Sequence, residues 1–135
     1  MIQRIQSVFL MLIDIVLVAL FFVPFASMSG PGEAPVALTL MDDYVVMAGQ
    51  IVLTVIASLG VVTFKNRGLQ MKICLAGAVL SLAFTAYVAS LPFMHEHTTS
   101  EAGTWITMAN FILFMLAWKF VKKDEEMVRS TDRLR

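Results

Sequence analysis

Four apolar runs divide the chain, and all ten of its Lys and Arg residues fall at alternate breaks in that pattern. Arg4 precedes the first run, at 5–25. Lys65, Arg67 and Lys72 lie between the second, at 44–64, and the third, at 73–93. Lys119, Lys122, Lys123, Arg129, Arg133 and Arg135 lie at the end of the fourth, at 105–121, or beyond it. The two remaining gaps hold none. Short loops rich in Lys and Arg stay on the cytoplasmic side of a membrane, so the pattern predicts both the number of crossings and their direction. As helices the runs are long enough to cross about 30 Å of hydrocarbon, the fourth being the shortest. The expected fold is all-α, a four-helix transmembrane bundle with both termini in the cytoplasm. It makes one integral membrane domain over 1–135 that ends in a cytoplasmic tail at 122–135.

Composition agrees with that expectation. The chain is 59% hydrophobic and 15% charged, where soluble domains are about half apolar and a quarter charged. The lipid bilayer is therefore the first partner implied. Net charge is formally zero, and no basic patch lies away from the membrane flanks, so nucleic acid is not an expected partner. The outer segments carry Glu33, Asp42, Asp43, Glu96 and Glu101 without a cation. Cys74 is the single cysteine, which excludes an intrachain disulfide and reads as a small packing residue. The first run has an alternative reading as a cleaved signal, with Ser27-Met28-Ser29-Gly30 as the cleavage region. Its length favours an uncleaved span.

Between the first two spans, the Ser-Gly-Pro-Gly segment at 29–32 and Pro35 predict an irregular outer loop over 26–43, with 36–41 apolar enough to lie against the bundle or the lipid. Pro24 and Pro92 fall near outer helix ends, where a missing backbone donor does little harm. Trp105 and Trp118 sit near the two interfaces of the fourth span, as an aromatic belt requires. On the third span Gly77, Ser81, Thr85 and Ala89 recur every four residues, widened by Ala78, Ala86 and Ser90. Small side chains let helix backbones approach closely in lipid. The third span is thus expected at the centre, with the bulkier first span packed on it and showing most of its surface to lipid.

Asp14 is the one formally charged residue well inside a span, near the midplane. Such a residue is costly in hydrocarbon and usually faces the bundle interior. Expected neighbours at similar depth are Thr54 or Ser58, Ser81 or Thr85, and Asn110. Two readings stand: a proton or cation site, or a protonated carboxyl that hydrogen-bonds helices together. In the second outer loop, Met94-His95-Glu96-His97 with Glu101 offers metal-binding side chains, but its spacing belongs to no specific motif. No metal or cofactor is expected.

At the cytoplasmic face, Lys65, Asn66 and Arg67 form a tight turn. The tail segment containing Lys122, Lys123, Asp124, Glu125 and Arg129 reads as a helical extension, in which Lys122 can pair with Glu126 and Glu125 with Arg129. Lys119, Lys122 and Lys123 suit an anionic inner surface. So mixed a charge pattern can also specify a protein partner.

Three stretches carry a family resemblance: Met1-Ile-Gln-Arg-Ile-Gln-Ser7, Phe64-Lys-Asn-Arg-Gly-Leu-Gln-Met-Lys-Ile-Cys74, and Lys122-Lys-Asp-Glu-Glu-Met-Val-Arg-Ser-Thr-Asp-Arg-Leu-Arg135. Over nearly its whole length the chain resembles an uncharacterised bacterial family of four-helix membrane proteins, domain of unknown function 4293. The resemblance implies a multi-pass protein of the bacterial cytoplasmic (inner) membrane. It implies no reaction and transfers no functional residues.

The sequence contains no nucleophile–His–acid set, no Gly-rich phosphate loop and no Cys-x-x-Cys, so an enzyme is disfavoured. The leading expectation is a non-enzymatic accessory or assembly subunit acting through its cytoplasmic turn and tail, on another membrane protein or a second copy of itself. The alternative is a small proton-coupled transporter or channel component built around Asp14.

Overall fold

Helices take up all four apolar runs. The computed structural model describes residues 3–30, 34–94 and 97–132, and the side chains of all of these except 3–7, 129, 131 and 132. Helix α1 (Gln3–Ala19) tightens into a 3-10 turn, Leu20–Phe22, shortly before Pro24, because the residue ahead of a proline is pushed out of helical geometry. Helix α2 (Tyr44–Val62) starts at Asp43, whose side chain accepts hydrogen bonds from the backbone N–H groups of Val45 and Val46 at 2.7 and 3.3 Å. Those are donors that the first helical turn cannot otherwise satisfy.

Helix α3 (Arg67–Met94) begins six residues before the sequence-predicted start at 73. Asn66 makes this possible: its Oδ1 accepts from the Leu69 N–H at 3.2 Å, an N-cap that lets the helix absorb Lys72 and Arg67. The turn is thereby reduced to a 3-10 segment, Thr63–Lys65, and Asn66. Helix α4 (Ala102–Asp132) runs without a break from the fourth apolar segment into the tail, about 46 Å in all.

The bundle is a ring of neighbours. α1 packs on α2 and α4, and α3 packs on the same two helices, so α1 and α3 lie across the diagonal. This corrects the expectation that the first span packs against the third. The small-residue ridge of α3 is used instead by α4. At Gly77 a side chain would overlap the Phe114 ring, and α3–α4 is the most extensive helix pairing. The core draws Leu10, Ile13 and Leu17 from α1, Leu53 from α2, Val88 from α3 and Phe114 from α4.

A second correction concerns the 26–43 loop, which is not wholly irregular. Strand β1 (Ala26–Met28) lies between β2 (Val36–Leu38) and β3 (Thr98–Ser100) in a small antiparallel sheet. The register pairs Ser27 with both Ala37 and Thr99. Ser27 Oγ donates to Glu101 Oε1 at 2.9 Å and lies 2.8 Å from Thr99 Oγ1. The start of α4 is stitched on through the Gly103 N–H and the Thr104 hydroxyl, which donate to the carbonyls of Pro24 and Phe25 at 3.0 and 2.6 Å. That approach requires glycine, since a Cβ at 103 would stand 2.6 Å from the Pro24 oxygen.

Helices over Tyr44–Lys65, Arg67–Met94 and Ala102–Val128 are long and apolar enough to cross a membrane, and Val8–Phe22 is a shorter apolar helix beside them. Only 28 to 33% of each long segment's most apolar window is buried inside the bundle. Val55, Leu59, Val79 and Leu82 are among the large apolar side chains left on the outside. In water such a surface would be a large exposed patch; against hydrocarbon it is matched.

Candidate functional site

Asp14 and its expected neighbours separate onto two seams. On α1, Leu10, Ile13 and Leu17 form the buried stripe. Asp14 follows Ile13 by one residue, about 100° further round the helix, which turns it out of the interior. It is half-buried, and its Oδ1 accepts from the Ser58 hydroxyl of α2 at 3.4 Å, near the limit of a hydrogen bond. Ser58 itself is exposed. It stands seven residues from Lys65, about 10 Å inside the apolar segment. Thr54 plays no part in this contact; its hydroxyl donates to the Gln50 carbonyl at 2.9 Å.

The other expected neighbours belong to the α3–α4 seam. From the Gly77–Phe114 contact, one helical turn toward the sheet along each antiparallel helix brings Ser81 and Asn110 to the same depth, and both are buried. Ser81 donates to the Ala78 carbonyl at 2.9 Å and Thr85 to the Ser81 carbonyl at 2.8 Å. Asn110 is 1% exposed and its Oδ1 accepts no hydrogen bond from the described residues. Asp14 is therefore joined to Ser58, while Ser81, Thr85 and Asn110 lie on the seam between α3 and α4. The diagonal placement of α1 and α3 is the reason.

Two buried amides escape a reading based on charge. Gln50 Nε2 donates to the Leu17 carbonyl at 2.6 Å, tying α2 to α1. Gln70 Nε2 donates to the Gly60 carbonyl at 3.0 Å, tying α3 to α2. Both side chains are fully buried, and neither Oε1 atom has a hydrogen-bond partner among the described residues. The signal was present, since an amide inside or at the edge of an apolar run must find an acceptor in a neighbour.

At the end of the bundle opposite the sheet, the turn and the tail meet. Arg67 Nε lies 3.3 Å from Asp124 Oδ2, and Arg67 Nη1 donates to the Asp124 carbonyl at 3.5 Å. The two side chains are 21% and 8% exposed. Asn66 is committed to its capping bond. Lys65 stands 5.9 Å over the Phe64 ring, and Lys122 stands 5.3 Å over the Trp118 ring. Lys122 thus turns back one helical turn instead of pairing with Glu126. Helical side chains lean toward the N-terminus, and Lys ahead of Glu is the weaker order for such a pair. Lys65, Asn66, Lys122 and Lys123 are exposed around the ion pair and Glu125 is half-buried. The Arg129 side chain, and with it the Glu125–Arg129 pairing, lies outside the described residues.

At the sheet end, the Thr39 backbone N–H and hydroxyl bond the Asp42 carboxylate at 2.7 and 2.9 Å and hold its pKa below the ordinary value. Asp43 is occupied as the α2 cap and also accepts from the Tyr87 hydroxyl at 3.5 Å. His95 and Glu96 lie outside the described residues. Among the described residues, no group of three or more His, Cys, Asp or Glu side chains could hold a metal ion.

Over residues 2–134 the chain matches the family described as Domain of unknown function (DUF4293). The chain belongs to this family. No curated protein and no solved structure matches it.

Membership in DUF4293 assigns no reaction, so the residues carry the chemistry. The buried amides and hydroxyls fasten helix to helix. An apolar groove of about 460 Å³ between α2 and α3, lined by Val45, Gly49, Val52, Leu80 and Phe84, suits hydrocarbon. Away from the sheet end, polar groups of the described residues face outward at the Arg67–Asp124 surface with its flanking cations and at the Asp14–Ser58 pair.

Proposed function

We propose that this DUF4293 chain is a multi-pass integral protein of the cytoplasmic membrane, with both termini in the cytoplasm, that acts by association as a non-enzymatic accessory or assembly subunit. The observation that carries this reading is the Arg67–Asp124 pair. It welds the turn and the tail into one charged surface ringed by the exposed Lys65, Asn66, Lys122 and Lys123. A rigid, mixed-charge surface at a membrane face favours protein recognition, where complementary charge sets partner choice and approach rate. The orientation is supported by the order of the sequence, in which every Lys and Arg flanks a break that the positive-inside rule assigns to the cytoplasm. Transport through Asp14 is the weaker reading, because its carboxyl sits at the α1–α2 surface, away from the buried Asn110 and Ser81.

Two measurements test the proposal. In a Cys74→Ala background, Thr99→Cys and Ser130→Cys are labelled in intact cells with a membrane-impermeant maleimide. Labelling of Thr99→Cys alone is expected, and labelling of Ser130→Cys alone would reverse the orientation. Mild purification from native membranes is then compared for the unaltered chain and the Lys122→Glu/Lys123→Glu variant. Loss of a stoichiometric partner from the variant is expected; retention of every associate would remove the turn and tail as the docking surface.

A further inference from the structure

We infer that the α1–α2 face around Asp14 and Ser58 docks a transmembrane helix of a different protein, one that carries a single Lys or Arg at the depth of Asp14. The inference rests on the reading of this chain as a membrane subunit that acts by association, and names the intramembrane surface that reading would use. Asp14 and Ser58 are in contact, yet Asp14 is only half-buried and Ser58 is exposed. A carboxyl has about four lone-pair sites, and among the described residues Asp14 fills one of them, with the long Ser58 bond. A carboxyl turned toward lipid acyl chains about 10 Å inside the span has nothing there to accept from. Ionisable side chains at such depth pair with a group of opposite charge or face protein. One turn to either side, Met11 and Val18 on α1 and Val55 and Val62 on α2 are exposed and apolar. The face is therefore a smooth hydrocarbon surface with one acidic spot, a surface that a helix with one cation would complement.

A second copy does not supply that cation. Copies inserted in the same direction meet in a closed pair about an axis along the membrane normal, so each patch meets itself at equal depth. Asp14 would then face Asp14 or Ser58 of the other copy. The nearest cations in depth, Lys72 and Lys119, are exposed on α3 and α4. Reaching Asp14 with them requires a head-to-tail array, and pulls ammonium groups away from the headgroups toward which they extend.

The test uses the full chain in lipid vesicles, labelled at Ser130→Cys in the Cys74→Ala background. The probes are polyleucine transmembrane peptides with Lys, or Leu, at the position matching Asp14. Energy transfer is expected with the Lys peptide and about tenfold weaker with the Leu peptide, the scale of one polar contact between helices in lipid. Asp14→Asn should lose the same factor toward the Lys peptide while the chain melts at an unchanged temperature. Ser58→Phe, which places bulk on an exposed position, should block binding even if the Asp14 variant folds poorly. Equal transfer to the Lys and Leu peptides would overturn the inference. So would saturable self-association without peptide, which would assign the face to a second copy. In native membranes, loss of the partner from Asp14→Asn, with a Lys or Arg in the partner's span, supports it. Loss from Lys122→Glu/Lys123→Glu alone, with Asp14→Asn keeping the partner, would leave the association reading standing and overturn this inference. An unaltered chain that purifies without any associate would remove both.

Discussion

Along the α3–α4 seam, Gly77 admits the Phe114 ring and the two helices bury Ser81 and Asn110 between them. Along the α1–α2 seam, Leu10 and Leu17 take the interior while Asp14 and Ser58 are left at the surface. Both seams carry polar groups at membrane depth, but the first uses Ser81 and Asn110 within the bundle, while the second buries only Gln50, on the Leu17 carbonyl, and presents Asp14 and Ser58 outward. Sequence distance from the helix ends cannot tell these uses apart. What separates them is the angle around the helix, and the outward group is the one that calls for something beyond this chain.

The largest effect should come from splitting the inward seam. Gly77→Val drives a branched side chain into the Phe114 ring and should cost about 2 kcal/mol or more, read as a lower melting temperature in detergent. Arg67→Ala comes next. Removing one partner of a fully buried ion pair costs more, but Arg67 is 21% exposed, so a loss of about 1–2 kcal/mol is expected. The double variant Arg67→Met/Asp124→Leu should recover part of it, which a purely additive pair would not do. Gln50→Leu removes the bond to the Leu17 carbonyl and should cost about 0.6 kcal/mol, the average for such bonds between membrane helices.

Much of this architecture can be read from the amino-acid order. Uninterrupted apolar runs flanked by cations predict four helices, and the four-residue spacing from Gly77 to Ala89 marks a packing ridge. The neighbour across that ridge was not legible. Apart from Asp14, the first span is apolar on every face and looks the same toward α2, α3 and α4, so its diagonal relation to α3 had no signature. The sheet was hidden for a different reason. Its strands are three residues long, and Ser27 pairs with Thr99 across 72 positions, while neither segment shows the alternation of a strand. The start of α3 depended on one side chain, Asn66, whose capping bond carries the helix through a basic segment that resembles a turn. Among the site residues, the closeness of Arg67 and Asp124 follows from α3 and α4 being antiparallel neighbours, which charge counting alone does not reveal.

The smallest expected effect lies at the sheet end, far from either seam. The Thr39 bonds lower the Asp42 pKa, so their contribution to stability is complete above the ordinary carboxylate value. It is lost as pH falls through the lowered folded value. Thr39→Val keeps the backbone bond and removes the hydroxyl, and should move Asp42 part of the way back toward its ordinary value in an NMR titration.

The contrast between the seams is tested most directly by placing Asp14→Asn and Asn110→Leu side by side in two assays, melting in detergent and partner retention in native membranes. Asn110→Leu should shift the melting temperature and keep the partner. Asp14→Asn should leave melting unchanged and release the partner. An Asp14→Asn chain that melts early while keeping its partner would contradict the account, because Asp14 would then be holding this bundle together.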